Sequence, residues 1–219
     1  MSDDRIIAID GAAGSGKSTL ARNLARALRL PYMNTGLMYR ALTASALRNG
    51  VSEDDVDALI DLTRGLRFTL GGSDPLALKV EGFDDRELTS PAVEQSVSRV
   101  ARHPRVRAWM HEVQRRLGAN GAVMEGRDIG SVVFPEAVVK LYLEAAPGAR
   151  IERRLRERPR AGSEEIAAVL EERDELDART NPLAPPTGAI VIDTGVLDAD
   201  ATLRTAIALI RDQAPDLLP

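Results

Sequence analysis

The chain has 219 residues, 44% of them hydrophobic and 28% charged, with a formal net charge of −4 and a pI near 5.4. That length suffices for one good core and a small satellite region, and the acidic balance argues against a nonspecific nucleic-acid binder, which carries a basic excess. The absence of cysteine excludes disulfides and thiolate metal sites, and two histidines, His103 and His111, are too few for a histidine-rich metal site; both are expected on helix surfaces.

No apolar run approaches the roughly 18 residues of a membrane span. Met1-Ser2-Asp3-Asp4 is acidic and leads directly into a strand, unlike a signal peptide, so the cytoplasm is the expected location. Arg5 to Asp10 reads as a buried strand. It opens into Gly11-Ala12-Ala13-Gly14-Ser15-Gly16-Lys17-Ser18-Thr19, which fits Gly-x4-Gly-Lys-Ser/Thr, the phosphate-binding loop. The glycines let successive N–H groups curl inward around anionic oxygens. The helix that follows, with Leu20, Leu24 and Leu28 at helical spacing, adds its positive dipole end. Lys17 is the mobile cation for β- and γ-phosphates, and Ser18 can give its hydroxyl to Mg²⁺. Of 29 basic residues only Lys17, Lys79 and Lys140 are lysines, and one stands in this loop.

Tyr32-Met33-Asn34-Thr35-Gly36 reads as a short strand and turn. A helix follows to about Asn49-Gly50, with Met38, Leu42 and Ala46 on one face. Ser52-Glu53-Asp54-Asp55 has the form of a capping box opening a short helix with Val56, Leu59, Ile60 and Thr63 inward. Leu66–Leu70 and Leu76–Val80 form a small antiparallel ribbon around Gly71-Gly72. Ser90-Pro91 starts a helix with proline at its first position, and roughly 61–100 is an excursion from the main sheet. Pro104–Leu117 is a helix with Val106, Met110, Val113 and Leu117 inward. Strands are expected at Ala122–Met124, Val138–Leu143 and Ala189–Ile192, and helices at Arg150–Arg158, Ser163–Glu175 and around Leu203–Ile210. Apolar strands alternating with helices predict an α/β fold: a doubly wound, five-stranded parallel sheet covered on both faces.

In such sheets ligands bind beyond the carboxyl ends of the strands, and the unusual polar clusters follow strand ends. They are the glycine loop; Asn34 to Arg40; Glu125-Gly126-Arg127-Asp128-Ile129-Gly130; the arginines at 150, 153, 154, 156, 158 and 160; and Asp193-Thr194-Gly195. Several arginines beside a phosphate loop point to two polyanions held in line. Each cluster also has a plain alternative. Arg40 could be a solvated helix charge, Glu125 a turn cap, Arg127-Asp128 an internal pair, Arg173/Asp177 an i,i+4 pair, and part of 150–160 an exposed helix face. A nucleotide switch of the GTPase type is disfavoured because neither Asp-x-x-Gly nor Asn-Lys-x-Asp occurs. A kinase for another small acceptor is the remaining alternative.

Four stretches resemble the bacterial cytidylate kinases, a nucleoside monophosphate kinase family: Gly11–Thr19, Asn34–Arg40, Gly126–Pro135 and Arg173-Asp174 through Pro182-Leu183. The resemblance implies transfer of the γ-phosphoryl of ATP to CMP or dCMP with Mg²⁺, and small-molecule partners with no nucleic acid or membrane. It implies a core of 1–34, 104–149 and 180–219, a monophosphate-binding part at 35–103 and a helical lid at about 150–179. A lid that must swing freely favours a monomer. By position, Gly11, Ala12, Ala13, Gly14, Ser15, Gly16, Lys17, Ser18 and Thr19 would bind ATP, with Ser18 and Glu125 toward the metal. Arg40 and Arg127 would grip the acceptor phosphate. Ser98, Arg107 and Asp128 would read the cytosine edge, Thr35 would lie against the nucleotide, and Arg173 and Asp177 would contact the sugar. Arg153 or Arg154 would come down over the transferring group, and Arg179 would supply a further lid-side arginine. The chain departs from the family pattern at Asn34 and Glu125, each in place of an aspartate. It departs again in a short lid and in a segment from Asp177 to Pro182 about two residues shorter than usual.

Overall fold

The computed structural model describes residues 5–159, 161–180 and 183–218. Met1–Asp4, Arg160 and Pro182, which carried expectations above, lie outside the described residues.

Strand β1 (Ile6–Gly11) is buried along its whole length and leads through the glycine loop into α1 (Lys17–Leu28). β2 (Tyr32–Asn34) feeds α2 (Gly36–Arg48), followed by α3 (Val56–Thr63). The ribbon is β3 (Phe68–Gly71) and β4 (Ala77–Val80), and a short α4 (Asp85–Leu88) precedes α5 (Pro91–Ala101) and α6 (Pro104–Gly118). β5 (Ala122–Gly126) ends in a π-helical turn at Ile129–Val133. Then come β6 (Val139–Glu144), α7 (Pro147–Glu157), α8 (Ser163–Thr180), β7 (Ile190–Asp193) and α9 (Ala199–Gln213).

The sheet order is β3-β4-β2-β5-β1-β6-β7. The five strands β2, β5, β1, β6 and β7 pair in parallel, as expected of a doubly wound sheet. The ribbon, expected to stand apart, is the refinement. β4 pairs in parallel with the free edge of β2 through Tyr32 and Ala77, with Tyr32 N–H donating to Leu76 C=O at 2.7 Å. β3 closes the edge antiparallel, so the sheet has seven strands. A three-residue β2 would otherwise present unpaired backbone groups at an edge.

Alternation along β1 explains why both faces need cover. Ile7 and Ile9 pack with Leu20, Leu24 and Leu28 of α1 and Ala206 and Ile210 of α9. Ile6 and Ala8 point the other way, onto Met33, Met124, Ile129 and Phe134. A separate cluster joins α2, α3, α5 and α6 around Leu42, Leu59, Val97 and Met110. A small one seats Ile166 and Leu170 of α8 on Ala13 of the glycine loop.

Two local expectations need correcting. Ser52 does not cap α3. Its hydroxyl accepts from Asp54 N–H two residues on, and Asp55 is the cap, accepting from Ala58 N–H at 3.0 Å. A serine committed to that local turn is placed too early to reach the first helical turn. α8 also runs past Glu175 to Thr180, which carries Asp177 on a helix rather than in a loop. The Ser90 cap before Pro91 is as expected, accepting from Val93 N–H at 3.4 Å.

Candidate active site

The carboxyl ends of β1, β2 and β5, and the segment after β7, open into one cleft of about 760 Å³. The glycine loop forms its floor. Gly11, at φ +147°, admits no side chain: a Cβ there would stand 2.4 Å from Leu143 C=O of β6. Gly16 takes φ +93° directly before α1, turning the helix N-terminus toward the cleft. Ala13, Gly14, Gly16, Lys17, Ser18 and Thr19 line it, whereas Gly11 and Ser15 are buried behind it and Ala12 is half-buried outside the lining.

Lys17 Nζ donates to Ala12 C=O at 2.6 Å, folded over its own loop. Burial, then Arg127, push its ammonium well below the usual lysine range, against the pull of Glu125. Ser18 Oγ donates to Glu125 Oε2 at 2.9 Å, and Tyr32 OH donates to Glu125 Oε1 at 2.5 Å. Glu125 is therefore no turn cap. It is a buried carboxylate aimed at the loop serine, and this pair of hard oxygens at the loop mouth fits Mg²⁺, which takes one or two protein oxygens and leaves its other positions to water and phosphate. Thr35 donates to Glu125 C=O at 2.7 Å and lines the cleft.

The expected acceptor-side residues come together here. Arg40, Ser98, Arg107, Arg127, Asp128, Arg173 and Asp177 all line the same cleft as Lys17. Three of the plain alternatives fail. Arg127 and Asp128 do not pair with each other: Arg127 Nε donates to Asp177 Oδ2 at 2.8 Å, while Asp128 takes Arg107 and His111. Arg173 does not bond Asp177 either; its nearest carboxylate is Glu94, at 3.8 Å. Nor is Arg40 solvated. It donates to Leu88 C=O at 3.0 Å, and burial, then Arg154, Arg158 and Arg127, lower its pKa to about 10. Burial and Arg127 bring Arg173 to about 9. Arg127 is instead raised: burial disfavours its charge, but Asp177 more than offsets that.

Arg153 reaches the loop, donating to Gly14 C=O at 3.2 Å and to Thr194. Arg154 lines the cleft beside it and pairs with Glu157. Arg150 crosses from α7 to Asp174 on α8 at 2.6 Å, and Arg158 pairs with Glu94 of α5, so both are engaged in ion pairs between elements. Arg179 is the expectation the geometry does not meet. It is exposed on the last turn of α8 and outside the cleft lining, because α8 continues past Glu175 to Thr180, roughly one and a half turns further than the pattern suggested, and points it outward.

Three buried polar groups, Asp10, Glu94 and His111, were not expected at the site, and Thr194, from the cluster expected after the last strand, joins the cleft as expected. Asp10 ends β1 and accepts from Ile129 N–H at 2.8 Å and Gly130 N–H at 2.7 Å, clamping the loop that carries Arg127 and Asp128. Burial, the largest influence, lifts its pKa to about 6 despite those bonds. An acid closing a wholly apolar strand was the available signal. Glu94 shares the inward face of α5 with Val97 and Ser98. Thr194 accepts from Arg153 and donates to the backbone carbonyls of Ser15 and Glu144. His111 corrects the expectation of a surface histidine. It is only 7% exposed, and its i,i+4 spacing from Arg107 places both on the Asp128 face of α6.

A phosphate loop on a doubly wound sheet, with arginines converging on it from three other segments, defines a P-loop phosphotransferase. A family model described as Cytidylate kinase matches residues 7–212. The chain is 45% identical over 215 residues to a cytidylate kinase of Deinococcus deserti, spanning 96% of this chain and 99% of that one. It is 44% identical to one of Thermus thermophilus (94% and 98%) and 40% identical to one of Rhodococcus opacus (95% and 96%). The chain belongs to the cytidylate kinase family, and it is a kinase. No helix among the described residues is long and apolar enough to cross a membrane.

Proposed function

We propose that the protein transfers the γ-phosphoryl of ATP to CMP or dCMP, giving ADP and the corresponding diphosphate. The observation that carries this reading is the crowd of largely enclosed cations in one cleft whose charge the protein itself disfavours. Lys17, Arg40 and Arg173 are all held below their usual ranges within one cleft, the pattern of a site completed by anions.

In this reading the loop amides and Lys17 hold the donor phosphates, and Arg40 and Arg127 hold the acceptor phosphate. The two nucleotides repel each other, and fixed guanidinium forks bring them in line at no reorganisation cost during transfer. Ser18 and Glu125 would hold Mg²⁺, which would supply positive charge to offset that of the phosphates. Asp128 and Arg107 read the base, Ser98 lies beside them, and Asp177 and Arg173 face the sugar. No side chain acts as a covalent nucleophile. Arg153 and Arg154, on a lid of about 150–179, exclude water that would otherwise take the phosphoryl group. Residues 35–103 form the acceptor part.

A coupled ADP-release assay with CMP, dCMP, UMP, AMP and no acceptor tests this reading. Turnover that depends on acceptor and is fastest with CMP and dCMP is expected. Slow hydrolysis indifferent to acceptor would overturn it.

A further inference from the structure

Asp128 is approached twice on one oxygen. Arg107 Nη2 and His111 Nε2, the latter at 2.8 Å, both lie on Oδ2. Among the described residues no donor reaches Oδ1, and Oδ1 is not sealed from solvent in a residue that lines the cleft. His111 does not line the cleft. Its Nε2 stands off the axis of an ideal N–H···O bond and has no better-aligned partner, so Asp128 Oδ2 is what that nitrogen serves.

A carboxylate held by one donor alone can still turn about its Cβ–Cγ bond, whereas a hydrogen-bonding guanidinium together with an imidazole nitrogen packed 2.8 Å from the same oxygen restricts that turn. Burial pushes the Asp128 carboxyl up, but contact with His111 and with Arg107 pulls it below the usual carboxylate range, so the group stands ionised as a pure acceptor. A base edge offering an exocyclic amine can donate to the free oxygen, while one offering a carbonyl there meets lone pair against lone pair.

We propose that His111 is a positioning residue for base choice: together with Arg107 it pins Oδ2 of Asp128, so that Oδ1 faces the acceptor base and selects an amino-bearing pyrimidine over its keto counterpart. The inference rests on the reading that Asp128 recognises the base, and its test separates the two.

The His111→Leu variant is expected to lower kcat/KM for CMP about tenfold, chiefly through KM, and to change UMP less than about twofold, with the KM for ATP unmoved. His111→Gln, whose amide nitrogen can approach Oδ2, is expected to restore most of the CMP/UMP ratio. His111→Asn, polar but too short, serves as the second loss variant if the leucine form fails to fold, with thermal unfolding recorded for each. Asp128→Ala runs in parallel. If it loses the CMP/UMP ratio while both His111 loss variants keep it, Asp128 needs no help and the proposal is overturned. Equal losses with CMP and UMP in the His111 variants would mean a merely structural role and overturn it as well. If Asp128→Ala itself keeps the wild-type ratio, the base-reading assignment fails and the proposal falls with it.

Discussion

Arg127, at the end of β5, and Asp177, on α8, meet 2.8 Å apart across 50 residues of chain, and both side chains are more than four-fifths buried. Asp177 also accepts from Ser98 of α5 at 3.4 Å. One carboxylate thus ties the loop after β5, α8 and α5 together.

Asp177→Asn should therefore destabilise the nucleotide-free enzyme by about 3 kcal/mol, because it leaves a buried guanidinium without its counter-charge. CMP should recover part of that loss if its phosphate supplies Arg127 with a substitute anion. Thermal unfolding with and without CMP measures both. A variant as stable as the parent would show that the pair contributes nothing net.

Lys17→Met should cut kcat by at least about a hundredfold while leaving stability equal or higher. The ammonium is buried beside Arg127 and depressed well below its ordinary range, so the folded state gains nothing from its charge. Single-turnover kinetics and unfolding curves together decide it. A large fall in stability would contradict the electrostatic account of this lysine.

These relationships divide what the sequence discloses from what it hides. Glycine spacing, the Ser90-Pro91 start and the strand–helix alternation are local features, and they mark β1, α1, α5 and the parallel sheet directly. Convergence of Arg40, Arg127 and Arg173 followed from a topological rule, since each lies past the end of a strand or on the segment crossing over it. Pairings across long separations had no such rule. Arg127 with Asp177, Glu94 with Arg158, and Asp10 with two backbone N–H groups depend on how helices dock. A charged residue near several opposite charges in the sequence has too many eligible partners. The ribbon's attachment to β2 was hidden for a different reason: an edge strand is chosen by whichever backbone is unpaired, and side-chain pattern does not record that.

Glu125→Gln should raise the Mg²⁺ concentration needed for half-maximal turnover about tenfold. The amide keeps an oxygen for Ser18 or Tyr32 but loses the charge a hard cation prefers. Mg²⁺ titration at saturating ATP and CMP measures it. An unchanged Mg²⁺ requirement would remove Glu125 from the metal's surroundings.

Asp10 gives a pH signature with a definite sign. Its folded pKa of about 6 exceeds the ordinary 3.8, so the folded state binds the proton first. Its contribution to stability is therefore fully present below about pH 4 and is lost as pH rises through 6. The unfolding free energy of the parent minus that of Asp10→Asn, without nucleotide or Mg²⁺, should fall by on the order of 2 kcal/mol between pH 4.5 and 7.5. A flat difference, or one rising with pH, would mean that the backbone bonds from Ile129 and Gly130 outweigh burial.

Arg173 stands in the cleft without a close counter-charge. Its side chain is largely buried, its Nε has no partner among the described residues, and Glu94 at 3.8 Å is too far to hydrogen-bond. Arg127, Arg40 and Arg154 crowd it with like charge, which together with burial holds its pKa at about 9. An anion in the cleft relieves that repulsion. Sulfate should therefore raise the unfolding temperature more than chloride at matched ionic strength, because it binds the folded state selectively instead of merely screening. Arg173→Met should be more stable than the parent in chloride and should show a smaller sulfate increment, while its kcat/KM for CMP falls about a hundredfold or more. Differential scanning calorimetry in the two salts, paired with steady-state kinetics, tests all three outcomes at once. If the methionine variant were less stable in chloride and equally responsive to sulfate, the arginine would be a structural ion-pair partner of Glu94 and not a poised anion receptor.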